Sequence, residues 1–190
     1  MRTPHTSLAT ALVAVSLAVS LTGCSADAEP EVRIADPSPS ASAGVPPMEA
    51  PTLPADVEGT GPRAAEAFVR HYVDLINYSF DTLDTGPLRD VAHRLCLSCD
   101  GGADFVDRVR KKGGTLEGGH YSDLRLSADQ LAGPPGYDTR VRARMRSSVQ
   151  QVDGTGTNWD GSVPGGPVVM IFDVVNERGT WMMLDWWTSS

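Results

Sequence analysis

VVMIFDVVNERGTWMMLDWWT, residues 168–188, decides the fold. Val168 to Asn176 and Thr180 to Thr188 are rich in β-branched and aromatic residues, and Asn176-Glu177-Arg178-Gly179 between them reads as a short hairpin loop. Both strands are apolar on both faces. Met182, Leu184 and Trp186 oppose Trp181, Met183 and Trp187 in the alternation, and Val168, Met170, Phe172 and Val174 oppose Val169, Ile171 and Val175. A sheet covered on one side only does not need that, so the second face is expected to curl around a cavity or pack on a partner.

Working outward, the period is 2 back to about Gly114, with strands at Tyr121 to Ser127 and Tyr137 to Val152 and a long hairpin loop at Asn158 to Gly166. Before Gly114 the period is helical. Ala65, Phe68, Val69, Tyr72, Ile76 and Phe80 recur three or four apart, predicting an amphipathic helix over Arg63–Phe80 with Pro62 in its first turn. Leu88, Val91, Ala92 and Leu95 predict a short second helix, and Phe105, Val106 and Val109 a third from about Ala103 to Lys112. The expected class is therefore α+β: about three N-terminal helices packed on a curved antiparallel sheet of about four strands. This element order looks like the cone-shaped fold shared by nuclear transport factor 2, ketosteroid isomerase and polyketide cyclases, related to the cystatin-like fold.

The chain's 190 residues include 16 Lys and Arg against 24 Asp and Glu, a formal net charge of −8, which argues against a nucleic-acid binder relying on bulk positive charge. At the start, Arg2 precedes an uncharged run from Leu8 to Leu21, suited to a secretory signal. Leu21-Thr22-Gly23-Cys24 then resembles the bacterial lipobox. Residues 1–23 are thus expected to be a lipoprotein signal peptide, with Cys24 lipidated at the mature terminus. The body then sits on the outer face of the cytoplasmic membrane, held by two acyl chains at roughly 0.8 kcal/mol per buried methylene. Residues 24–59 are dense in Pro, Ala, Ser and acids and lack any sustained period, predicting a disordered tether, with the α+β domain over 60–190.

Leu83-Asp84-Thr85, the Cys96-Leu97-Ser98-Cys99 pair, Val106 and Gly113-Gly114 resemble an uncharacterised family of actinobacterial lipoproteins, domain of unknown function 6318. Its members share the lipobox, the Pro-rich spacer, a helix ending near a Thr-Gly-Asp-Thr turn, and a Cys pair two residues apart. Here the turn carries Leu83 where the family has Gly. The resemblance implies an address and an architecture, with no activity attached.

Several constellations could carry chemistry. Cys96 and Cys99, the remaining cysteine pair of an exported chain, are expected to form a disulfide stapling the second helix to the third. Two competing readings are a thiol redox pair and a metal site built on His93, Cys96 and Cys99 with His120 or Asp100 as fourth ligand. Neither a metal nor a cofactor is expected. Arg140, Arg142, Arg144 and Arg146 fall on one strand face, either a candidate anion stripe or a solvated face paired with Asp123, Asp173 or Asp185. Trp181, Met183, Trp187 and Tyr72 are the candidate ligand or partner surface, against core packing.

The functional expectation is a lipid-anchored, non-enzymatic domain that binds a small ligand or an envelope protein. A cavity enzyme of the ketosteroid isomerase or polyketide cyclase type is the alternative; Asp74, Asp173, Asp185, His71 and Tyr72 are available by type, but no spacing singles out a pair. The loop Asp153 to Asn158 has neither EF-hand ligand order nor a phosphate-loop Lys, and Asn77-Tyr78-Ser79 matches a glycosylation triplet inside the first predicted helix.

Overall fold

A computed structural model describes residues 47–131 and 138–189. The expected signal segment, Cys24 and the first part of the spacer lie outside the described residues. Helix α1 (Pro62–Thr82) begins with Pro at its first position, where the missing N–H costs nothing. It ends at Leu83, whose N–H donates to the Ser79 carbonyl at 2.9 Å and whose φ is 56°. A Cβ disfavours that left-handed cap, so the glycine that the family resemblance implies at this position would adopt it more readily than Leu83.

Helix α2 (Gly86–Asp90) is only five residues long, and α3 runs over Leu97–Lys111, six residues earlier than the expected start. The expected second helix stops short because Val91–His93 instead pairs with the edge of the sheet. The His93 N–H donates to the Met183 carbonyl at 2.8 Å, and the Met183 N–H to the Val91 carbonyl at 2.9 Å. The segment thus covers an exposed strand edge.

Four antiparallel strands form the main sheet in the order β2 (Tyr121–Gln130), β3 (Asp138–Ser147), β6 (Gly166–Glu177), β7 (Thr180–Thr188). A second sheet, β1 (Thr115–Gly118), β4 (Gln150–Asp153) and β5 (Gly161–Val163), accounts for strands the sequence pattern merges. The single strand expected over Tyr137–Val152 is interrupted at Ser148-Val149, where Ser148 N–H turns to the His120 carbonyl at 2.9 Å and Gly119 N–H reaches the Val149 carbonyl at 3.0 Å. The expected loop Asn158–Gly166 contains β5.

The core lies between α1 and the inner sheet face. Phe68 stacks on Trp181 at 6.4 Å between ring centres, and Tyr72 meets Phe172 edge-on at 6.2 Å. Val141, Ala143, Met170, Val174 and Met183 complete that face. On the outer face Ile171 and Val175 are also buried. Ile171 lies in register between Arg142 and Trp187.

The packed body begins before Thr60. Ala55–Val57 forms a 3-10 turn with Val57 buried in the core, and the Gly59 carbonyl accepts from Trp181 Nε1 at 3.0 Å and Asn176 Nδ2 at 3.3 Å. Residues that the composition assigns to the tether thus dock on the domain, by one apolar anchor and one doubly bonded carbonyl.

Candidate functional site

A cavity of about 430 Å³ opens between α1, α3 and the sheet, within the range of small-molecule sites, about 300–1,000 Å³. From α1 come Tyr72, Ile76 and Phe80, from α3 Phe105 and Val106, and from the sheet Tyr121, Met170 and Trp186, with Gln150 of β4 at one side. The first turns of α3 close it through Ser98, Cys99, Gly101 and Gly102.

Trp186 reaches this wall by a break in alternation. The register passes from Asp173↔Asp185 to Val174↔Met183, leaving Leu184 as an extra residue. Phe172 then faces Trp186 on the inner side, and Ile171 faces Trp187 on the outer. The Trp186 backbone N–H donates to Ser98 Oγ at 3.0 Å, tying β7 to α3. Gly102 permits the ring's approach: a Cβ there would lie 3.2 Å from its Cζ2.

The polar atoms of the wall are few. Trp186 Nε1 and Gln150 Nε2 are buried and, among the described residues, have no hydrogen-bond partner. Burial pushes the Tyr72 phenol far above its ordinary pKa, and the neighbouring Trp186 indole draws it part of the way back. Burial also raises Tyr121. Both phenols are therefore neutral at physiological pH. Among the described residues no carboxylate or imidazole lines the cavity.

Cys96 and Cys99 lie at disulfide distance, with Cα atoms 5.3 Å apart. Cys96 caps α3 and Cys99 sits in its first turn, so the link closes that turn rather than stapling α2 to α3. Both are buried, at 1% and 4% exposure, at the N-terminal end of the helix.

The candidate surface read from the sequence separates. Tyr72 lines the cavity, but Trp181 and Met183 are core residues at 4% and 0% exposure, and Trp187 lies on the opposite face beneath the Arg140 guanidinium at 5.0 Å. In the arginine stripe, Arg140 pairs with Asp173 through two bonds of 2.8 Å, as the solvated-face reading expects for this residue. Arg142, Arg144 and Arg146 share that face.

The remaining named groups lie elsewhere. His120 contacts Asp81 at 2.7 Å and His93 approaches Glu177 at 3.6 Å, and among the described residues no three potential ligands gather as a metal site. Burial lowers the pKa of His71, with Asp74 opposing, and raises that of Asp74, with His71 opposing; neither lines the cavity. Asn77 of the glycosylation triplet bonds both the N–H and the carbonyl of Tyr121 at 2.9 and 3.0 Å, a structural tie from α1 to β2.

These features define an α+β domain with a small, largely apolar cavity beneath its third helix. The chain belongs to the family of unknown function (DUF6318), whose pattern matches residues 40–185. No curated protein matches it. The crystal structure of the intermembrane space region of chloroplast protein ARC6 is similar, at 14% identity and a TM-score of 0.51, over 70% of this chain and 98% of that one. An uncharacterized protein with a cystatin-like fold from Caulobacter vibrioides is 12% identical, with a TM-score of 0.47, over 69% of this chain and 89% of that one. The first likeness shows a shared fold and nothing of function.

Proposed function

We propose that this chain is an actinobacterial-type envelope lipoprotein, held through Cys24 on the outer face of the cytoplasmic membrane, whose domain binds a small apolar molecule bearing a hydrogen-bond acceptor. The anchoring rests on the sequence Leu21-Thr22-Gly23-Cys24 after its apolar run. The binding reading is carried by one observation: an apolar cavity whose lining includes Trp186 and Gln150, the side-chain N–H groups of which are buried without partners among the described residues. An unpaired buried donor costs about 1–3 kcal/mol, and a ligand oxygen would recover part of that. Binding is favoured over proton transfer of the ketosteroid isomerase kind because that chemistry needs a base, which the described lining does not supply.

The test compares a ketone with a hydrocarbon of the same shape, each titrated into the purified full chain. The ketone is expected to bind more tightly, by about 3- to 10-fold if one hydrogen bond separates them. The Trp186→Phe, Gln150→Leu double variant erases that preference while leaving hydrocarbon binding in place. Equal binding of the two probes by the wild-type chain, or binding of neither, overturns the proposal.

A further inference from the structure

The outer face of the main sheet carries charge that its own acids only partly answer. Arg140, Arg142, Arg144 and Arg146 of β3 lie on this side with Arg125 of β2. Acids gather at one end: Asp173 holds Arg140 by two bonds, and Asp129 stands opposite Arg140 in register. At the other end Arg125 is directly opposite Arg144, and Arg146 follows two residues on. Among the described residues no carboxylate lies within ion-pair distance of Arg125, Arg144 or Arg146.

Like charges directly opposed across an antiparallel pair destabilise it. Here the chain reaches that pairing through an irregularity. The register slips between Ser122 and Arg125, and Asp123 within the slip takes a left-handed φ of 55°, unfavourable for a residue with a Cβ. Bulges of this kind re-aim side chains. Arg125, Arg144 and Arg146 line an open depression of about 650 Å³, together with Asp123, Leu124 and Met145. Three guanidinium groups against one carboxylate leave the depression positive within an acidic protein.

We propose that this depression binds a phosphoryl oxyanion. A phosphoryl group offers enough non-bridging oxygens to engage several guanidinium forks, and Arg recognises such oxygens two at a time. An anion between Arg125 and Arg144 converts their repulsion into a shared attraction, the role that Asp173 fills for Arg140 at the other end. The site is separate from the apolar cavity and does not depend on its reading. The same chemistry could come from free phosphate or from the phosphodiester headgroup of an anionic lipid.

The experiment titrates the purified full chain with inorganic phosphate and with glycerophosphoglycerol, the deacylated headgroup of phosphatidylglycerol, at low ionic strength. At least one is expected to bind, with affinity falling tenfold or more in Arg125→Gln and in Arg144→Gln and rising in Asp123→Asn. Arg178→Gln, on the hairpin turn, leaves it unchanged and controls for net charge. Tighter binding of inorganic phosphate assigns a free anion, and tighter binding of the diester assigns a headgroup. Without ligand, Arg125→Gln melts no lower than wild type because it relieves the repulsion. Binding of neither probe, or equal binding by wild type and both Arg variants, overturns the proposal.

Discussion

Gly101 and Gly102 are neighbours in α3, and the cavity account requires them to respond oppositely to the same substitution. Replacing a helix-interior Gly by Ala ordinarily stabilises by about 0.5–1 kcal/mol through chain entropy. At Gly101 an added Cβ meets nothing within 4 Å, so Gly101→Ala should realise this gain, about 2–4 °C in Tm for a domain of this size. At Gly102 the added Cβ lies 3.2 Å from Trp186 Cζ2, and the ring must move by a few tenths of an ångström. Its backbone is tied to Ser98 Oγ at 3.0 Å, which limits how β7 can yield. Overpacking costs about 1–3 kcal/mol, enough to cancel or reverse the helix gain. Gly102→Ala is therefore expected to melt at or below the wild-type temperature and to bind an apolar probe more weakly. Circular dichroism melts of the full-length variants, with fluorescence titration of the probe, measure both effects. Equal rises in Tm with unchanged probe affinity would refute the placement of Trp186 against α3.

Trp181→Phe keeps the stack on Phe68 but removes one of two donors to the Gly59 carbonyl; it should cost about 1 kcal/mol and raise hydrogen exchange selectively in residues 47–59, whereas Trp187→Phe should not. Reducing the Cys96–Cys99 link should lower stability by no more than about 2 kcal/mol, the chain-entropy value for so small a ring, with the loss read from melts with and without dithiothreitol. Burial raises the pKa of Asp107, but hydrogen bonds from Arg89 and Thr85 outweigh it and hold the carboxyl below its ordinary 3.8. A depressed folded-state pKa gives stability that is present above the unfolded value and lost as pH falls through the folded one. Below about pH 4 the α2–α3 contact should therefore weaken in wild type, and Asp107→Asn should remove this share of the acid dependence in pH-dependent melts.

The α+β class was legible because α1 repeats apolar residues three and four apart while the last strands are β-branched and aromatic. The edges of that reading failed for local reasons. The third helix was expected only from about Ala103, yet α3 runs through Gly101 and Gly102, its first turn closed by the cysteine pair and Gly102 accommodating the Trp186 ring. Residues 47–59 look like spacer by composition, and only tertiary contacts at Val57 and Gly59 recruit part of that stretch.

Tyr72 was the one candidate surface residue placed at the cavity. Trp186 was missed because strict alternation puts Trp181, Met183 and Trp187 on one face. A signal was nevertheless present. Continuing inward from Met183 by two places Asp185 on the core face, where an unpaired carboxylate is costly, so the alternation must break near Leu184. The Arg125–Arg144 opposition carried no such signal, because it follows from a register slip between Ser122 and Arg125 that the residue pattern does not announce.

Native mass spectrometry of the full chain isolated under gentle conditions from the cells that produce it tests the central claim most directly. The account predicts one molecule of an apolar, oxygen-bearing compound bound to each wild-type chain and depleted in the Trp186→Phe, Gln150→Leu double variant. A wild-type chain carrying no such molecule, and taking up none when apolar ketones are supplied, would contradict it.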